Sequence, residues 1–277
     1  MLTSSIELQD SEVGKLLERV ATVYGYDFRE YAEASIRRRI TQWLAESEFA
    51  SFAEAKAQVL CDPAVFERLL RGITVNVTEM FRDPLVFQAI REQVVPHLKT
   101  YPFVKIWHAG CASGEEAYSM AIMLAEEGLA GRFRIYATDI NQGVLRKAQE
   151  GIFPLKEMKL FTQNYHKSGG KSSFSDYYTA RYDHAMLMPS LKDHIVFASH
   201  NLAADNDFGE MQMVFCRNVL IYFKQPLKDR ALGLFDSCLA PGGFLCLGTK
   251  EALDGREIAP HYAEIAPRSR IYRKRYA

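Results

Sequence analysis

Net charge is what this sequence most plainly lacks: its 34 lysines and arginines are balanced by 34 aspartates and glutamates. No global field therefore steers nucleic acid or an anionic membrane toward it, and any electrostatic recognition must be local. Paired cysteines are absent as well. The five present, Cys61, Cys111, Cys216, Cys238 and Cys246, are odd in number, form no C-x-x-C pair and match no zinc-ligand spacing. That excludes a disulfide framework and a zinc module, and reads as buried thiols in a reducing compartment. No apolar run approaches the roughly 18 residues that read as a membrane span, and residues 1–7 have neither the basic nor the apolar region of an export signal. The expectations are a cytoplasmic location and no membrane insertion. What the chain does have is 277 residues, 48% of them apolar, enough for one large domain or two smaller ones with a substantial core.

The first part of the chain shows no convincing strand. Val13, Leu16, Leu17 and Val20 recur at helical spacing, and further helical patterns run over 31–44, 52–60 and 63–70. A helical N-terminal domain over 1–72 is expected, followed by a second domain over 73–277. The second helix carries Arg37, Arg38 and Arg39, which as consecutive residues cannot share one helix face. They read either as a solvated basic face or as cations offered to a partner.

The stretch that organises the second domain is residues 104–116, an apolar run that breaks into Gly110, Ala112 and Gly114 and then into Glu115 and Glu116. This is a strand, a tight turn and a helix over 115–127. Small residues in such a turn let a ligand approach the backbone. A dinucleotide fingerprint spaces its second and third glycines three apart at a pyrophosphate-binding helix N-terminus. Here the small residues are two apart, and the acids behind them repel a pyrophosphate. They suit a ligand with an ammonium or sulfonium group and no phosphate, such as S-adenosylmethionine; an ordinary turn whose acids complement the helix dipole is the alternative. Asp139, at the end of a strand over 133–139, adds the acid that accepts hydrogen bonds from ribose hydroxyls in such folds.

Around this centre the remaining pattern falls into place. Residues 73–84 are too polar for a core strand and are placed to cover the site, with Arg82 available to a carboxylate or to the contact between domains. A helix over 87–98 leads into the first strand. Strands over 195–198 and 211–216 deliver His200, Asn201 and Leu202, and then Arg217, Asn218 and Val219, to strand ends, where open α/β sheets bind ligands. Either asparagine suits an adenine edge or an amino-acid tail, and either is also an ordinary turn residue. A helix over 225–239 stops at Pro241-Gly242-Gly243, a fifth strand covers 244–248, and 262–276 reads as a closing hairpin, so the sheet should have seven strands. Residues 152–193 interrupt the alternation. Rich in aromatics, with Gly169-Gly170 as a hairpin candidate, they read as an inserted subdomain of mostly antiparallel strands. Its aromatics suit a small core of their own, or an edge that docks a peptide.

Taken together, Asn76-x-Thr78-x-x-Phe81-Arg82, Gly110-x-x-x-Gly114-Glu115-Glu116-x-Tyr118-Ser119, Thr138-Asp139-Ile140 and Phe215-Cys216-Arg217-Asn218-Val219-Leu220-Ile221-Tyr222-Phe223 resemble the CheR-type chemotaxis methyltransferases over nearly the whole chain. The resemblance implies a Rossmann-like seven-stranded class I methyltransferase sheet with an all-helical N-terminal domain and a small inserted antiparallel β-subdomain. It implies a protein-glutamate O-methyltransferase that uses S-adenosylmethionine, yields S-adenosylhomocysteine, and acts on the cytoplasmic helical region of chemoreceptors. A non-catalytic sensor of the same cofactor stays open beside it.

By the same resemblance, Arg82 and Glu116 hold the methionyl end of the cofactor, Asp139 its ribose, and Asn201, Leu202, Asn218, Val219 and Gly110 line its site. Asn76 and Thr78 belong to the active-site wall, Tyr222 stands near the methyl group, and Arg37, Arg38 and Arg39 meet acidic receptor helices. Three positions depart from the family pattern. Met80 stands where an aromatic is common, Thr249-Lys250-Glu251 replaces a common His-Ser-Glu, and residues 172–178 do not resemble the tether-binding form of the insert. Since a glutamate of pKa about 4.3 is already ionised at pH 7, no general base is expected, and Arg82 and Tyr222 are expected to orient groups. No metal and no nucleic acid enter this reading, and a monomer suffices for it.

Overall fold

The computed structural model describes residues 10–74, 77–253 and 257–276. Its first elements are built on helical apolar spacing. α1 (Asp10–Tyr24) buries Val13, Leu16, Leu17 and Val20, and α2 (Glu33–Glu46) buries Ile36, Ile40, Trp43 and Leu44. α3 (Phe52–Cys61) opens with Ser51 Oγ accepting from the Glu54 amide at 3.2 Å, while the Glu54 carboxylate reaches back to the Ala50 amide at 2.9 Å. α4 (Pro63–Ile73) opens on Asp62, with Pro63 at the first helical position, where its missing N–H is not needed. The four helices share one apolar core. α2 starts two residues later than its pattern suggests, because Tyr31 pairs in an isolated antiparallel bridge with Phe223 instead of joining the helix.

After α5 (Pro84–Ala89) and α6 (Val95–Leu98), which a π-turn joins, the chain alternates. β1 (Val104–Ala109), α7 (Glu115–Leu124), β2 (Phe133–Asp139) and α8 (Gln142–Glu150) come first. The insert follows with β3 (Ile152–Pro154), α9 (Met158–Lys167), β4 (Tyr178–Arg181) and β5 (His184–Leu187). Then come α10 (Pro189–Lys192), β6 (Ile195–Ser199), β7 (Met211–Cys216), α11 (Gln225–Cys238), β8 (Leu239–Leu247), β9 (Tyr262–Ala266) and β10 (Ile271–Lys274).

The main sheet has seven strands in the order β6-β2-β1-β7-β8-β10-β9. The first five run parallel and the terminal hairpin antiparallel. This is the Rossmann-like seven-stranded sheet that the sequence resemblance implies. Side-chain alternation divides its apolar residues between two cores, Ile106 and Met213 in one, Trp107 and Val214 in the other, so helices cover both faces. The chain steps from β1 out to β2 and β6, then returns to the other side of β1 as β7. That reversal opens a crevice at the carboxyl ends of the strands. Among the described residues no helix is long and apolar enough to cross a membrane.

Two local expectations fail for physical reasons. Pro241-Gly242-Gly243 lies inside β8, because pairing resumes on both sides of it: Met211 faces Leu239, Met213 faces Phe244, and the excess residues form an irregularity with Gly242 at φ 77°. Gly169-Gly170 makes no hairpin. The two residues close α9, where the Ser168, Gly169 and Gly170 amides return to carbonyls of 164–166, and an added Cβ on Gly170 would overlap the Tyr165 ring. The hairpin turn is Tyr182-Asp183, between β4 and β5, with Tyr182 at φ 52°. The insert is a three-stranded antiparallel sheet, β3-β5-β4, as expected, with helix α9 between β3 and β4 in the chain. Its aromatics do not make a separate core. Phe153, Phe161, Tyr165 and Phe174 join Phe81, Phe87 and Tyr118 in the main core, and Glu126 ties them down by accepting from the Tyr165 and Tyr177 hydroxyls and from Arg91.

Candidate functional site

The turn after β1 is pinned before any ligand is considered. The Gly110 and Cys111 amides both donate to the Thr138 carbonyl, at 2.8 and 2.9 Å. The Ala112 amide donates to Asp139 Oδ2 at 2.9 Å, and the Asn141 amide to Asp139 Oδ1 at 2.9 Å. Each Asp139 oxygen thus accepts one backbone N–H and keeps a second acceptor direction. Burial pushes the Asp139 carboxyl up, and the Asn141, Ala112 and Ile140 amides pull it back. Gly110 has φ 76°, and a Cβ there would collide with the Val219 side chain, so only glycine fits.

Beside the turn a buried guanidinium links three segments that are far apart in sequence. Arg217, directly after β7, donates through Nη1 to the Arg82 carbonyl at 3.1 Å and to Glu116 Oε1, and through Nη2 to Asp83 Oδ2. Its side chain is fully shielded from solvent and packs over the Phe215 ring at 5.5 Å. Burial opposes its charge, yet Glu116 and Asp83 hold its pKa above the ordinary value. Burial likewise pushes Glu116 up, against the pull of Arg217 and Arg82. The segment Arg217 holds is strained: Phe81 and Asp83 have φ 52° and 54°, a region non-glycine residues rarely occupy. Burial of Phe81, whose amide donates to Ser119 Oγ at 2.8 Å, keeps it there. Arg82 Nη1 donates to the Val77 carbonyl at 3.2 Å.

The opposite wall is the run from Asn218 to Phe223, and the helical domain buttresses it. The Ala32 amide donates to the Tyr222 carbonyl at 2.8 Å, the Lys224 amide to the Glu30 carbonyl at 2.7 Å, and the Tyr31 ring meets Phe223 edge-on at 4.9 Å. Arg39 lies 5.9 Å from the Tyr222 ring centroid, a cation–π distance.

These walls enclose a cavity of about 200 Å³. Thr78, Arg82, Gly110, Glu116, Asp139, Asn201, Leu202, Asn218, Val219 and Tyr222 all line it. Asn76 lies outside the described residues. Arg37 and Arg38 are exposed on α2 and do not line the cavity, whereas Arg39 lines an adjoining groove that shares Thr74 and Val77 with it. Asn201 spends its side-chain oxygen on the Ala203 amide at 2.9 Å, as a turn asparagine does. Three lining residues come from the helical domain and had no sequence signal: Tyr31, Ser35 and Ile36.

Residues 76–266 match the model of the CheR methyltransferase SAM-binding domain, and residues 11–74 match that of the CheR methyltransferase all-alpha domain. The chain belongs to the CheR methyltransferase family. It is 47% identical to the methyltransferase-family protein Cher3 of Pseudomonas putida over 96% of this chain and 97% of that one. It is 28% identical to the chemotaxis protein methyltransferase of Listeria innocua, over 83% and 85% of the two chains. With chemotaxis protein methyltransferase 2 of Pseudomonas aeruginosa the figures are 28%, 84% and 84%.

S-adenosylmethionine is accordingly the cofactor of this CheR-family fold. The residues present fit it: Glu115 and Glu116 occupy the helix start where a pyrophosphate binder would need backbone N–H groups without acids. Asp139 keeps acceptor capacity, and Gly110 lines the cavity beside it. Arg217, which the sequence places at a strand end without a role, carries a further signal. A charge directly after a strand whose six residues are all buried needs a buried partner.

Proposed function

We propose that this chain transfers the methyl group of S-adenosylmethionine to glutamate side chains on the cytoplasmic helical region of chemoreceptor-type proteins. The observation that carries the reading is the cavity's composition. One side is the strand-end turn with Asp139 and Glu116; the other is the Tyr222 wall, joined to a helical domain whose Arg39 stands at that ring. The chemotaxis methyltransferases among the relatives support the receptor as substrate.

The bound cofactor supplies a methyl group on a positively charged sulfur. Every other requirement falls to the chain. In this reading Asp139 accepts from the ribose hydroxyls with the acceptor directions its two backbone amides leave open, and Glu116 faces the amino group. Asn201, Leu202, Asn218 and Val219 flank the adenosine, while Gly110 and Thr78 complete the enclosure. Arg82, held at its backbone by Arg217, meets a carboxylate. Tyr222 borders the methyl position and orients the reacting groups.

A substrate glutamate arrives ionised at pH 7, so no side chain has to remove a proton. The chain's contribution is orientation and exclusion of water, and orientation alone is worth roughly 7–11 kcal/mol. Arg37, Arg38 and Arg39 lie outside the cofactor cavity and would act on the acidic partner.

Incubation of the chain with tritium-labelled cofactor and a chemoreceptor cytoplasmic fragment tests the reading. Base-labile label on the fragment is expected, as a glutamate methyl ester requires. Normal binding of S-adenosylhomocysteine without any label transfer would remove the proposed substrate.

A further inference from the structure

The loop after β8 contains Thr249-Lys250-Glu251, whose first two residues depart from the family pattern, and its acid is not on the surface. Glu251 is buried, with both carboxylate oxygens saturated by main-chain donors. Oε2 accepts from the Gly248 amide at 2.6 Å and the Asn218 amide at 3.1 Å, and Oε1 from the Val219 amide at 3.0 Å and the Ile221 amide at 3.2 Å. Three of these four donors belong to one wall of the cavity, and Glu251 itself does not line that cavity.

We propose that Glu251 is the positioning residue of the cofactor-site wall, its carboxylate clamping the Asn218–Ile221 backbone in the only placement that leaves the cavity open. The inference rests on the S-adenosylmethionine site described above and assigns a role to a residue outside it.

The wall needs such a clamp. Asn218 sits at φ 60°, a left-handed conformation that asparagine enters more readily than other non-glycine residues, and there its amide turns toward the Glu251 carboxylate instead of a helix or strand partner. The amides of 218, 219 and 221 precede or open a single 3-10 turn (Leu220–Tyr222), so no preceding helical turn supplies their acceptors. A carboxylate facing converging backbone N–H groups makes charge-assisted hydrogen bonds, stronger than those of a neutral acceptor. Val219 has no slack in the other direction, since it fills the space where a Gly110 side chain would be. Loss of the clamp therefore moves Val219 and Tyr222 relative to the turn that carries Gly110.

Glu251→Gln is the discriminating variant. It preserves size, but whichever way the amide is turned, its NH₂ faces two backbone donors and two of the four bonds are lost. S-adenosylhomocysteine affinity, measured by calorimetry well below each protein's Tm, should weaken at least about ten-fold. Lys250→Ala, at an exposed neighbour, should leave it unchanged. Hydrogen exchange on the unaltered chain needs no variant: the Asn218, Val219 and Ile221 amides should exchange as slowly as those of β7.

A folded Glu251→Gln protein with a lower Tm but the original S-adenosylhomocysteine affinity would reduce Glu251 to a fold staple and overturn the inference. Fast exchange of the three amides would overturn it too, even if the variant fails to fold. An unaltered chain that does not bind S-adenosylhomocysteine would sink the cofactor assignment and this inference with it, an outcome distinct from the other two.

Discussion

Gly110→Ala tests the site's architecture most directly, because the structure separates its two costs. The first is conformational. Gly110 has φ 76°, and an L-residue held there loses about 1–2 kcal/mol relative to glycine. The second is steric. The new Cβ runs into the Val219 side chain, and overpacking of this kind costs typically about 1–3 kcal/mol. Gly110→Ala alone should therefore destabilise the chain by about 2–5 kcal/mol and weaken S-adenosylhomocysteine binding.

Val219→Ala removes the obstructing methyl groups without touching the backbone of 110. In the double variant the steric cost should vanish and the conformational cost persist, giving a coupling of about 1–3 kcal/mol between the sites. Urea unfolding of the four proteins measures the coupling, and calorimetry shows whether binding recovers in parallel. Additive losses, with no rescue by Val219→Ala, would refute the claim that the turn and the wall are fitted to each other.

Three other perturbations follow from the same geometry. Arg217→Met strips Glu116 and Asp83 of their partner; because the Asp83 side chain is 42% exposed and can hydrate, the loss should sit near the lower end of the buried-pair range, about 3 kcal/mol by urea unfolding, and a loss under about 1 kcal/mol would show the cluster to be energetically idle. Glu115 has its pKa raised by burial to about 7, opposed by its own amide and by Ser113. The folded state thus holds a proton that the unfolded state releases near pH 4.5, so the Glu115 contribution is favourable below that value and is lost as pH rises toward 7. Glu115→Gln should then add stability at pH 8, as much as about 3 kcal/mol, and add little at pH 4; equal effects at both would contradict the burial argument. Joint replacement of Arg37, Arg38 and Arg39 by glutamine should raise the KM for a receptor fragment with S-adenosylhomocysteine affinity intact, and an unchanged KM would remove them from substrate recognition.

What could be read along the chain was what local periodicity and strand-end position determine. β1 and β7 are mostly apolar, broken only by Lys105 and His108 and by Gln212, are buried at nearly every position, and announce themselves. Positions 110, 139, 201 and 218, which line the cavity, were legible because each ends a parallel strand or follows one within two residues, and the topology gathers those ends without further information. The Gly169-Gly170 signal misled because a helix stop and a hairpin turn ask for the same residue. Only packing of Tyr165 against Gly170, a tertiary fact, decides between them. The insert's aromatics misled for the same reason, since apolar residues do not say which core they join.

The polar framework around the cavity was illegible for a different reason. Arg217 lies 134 residues from Asp83 and 101 from Glu116, and Glu251 lies 33 from Asn218. An apolar side chain is satisfied by many neighbours, but a buried charge needs one or two specific partners, and no local pattern names them. The two buried clusters do complementary work: Arg217 fixes the Arg82 segment against Glu116, and Glu251 fixes the Asn218 wall against the turn at Gly110. The helical domain adds a third constraint, since its residues 30–32 pair with backbone at 222–224. A sheet edge that happened to bind an adenosine would need none of these, for affinity alone tolerates a loose rim. Placing a methyl group against a carboxylate brought by another protein does not, because misplacement on the scale of 1 Å can cost about a hundred-fold in rate. Convergence of these distant segments on the walls that carry Arg82, Asn218 and Tyr222 is what the proposed transfer to a protein carboxylate requires.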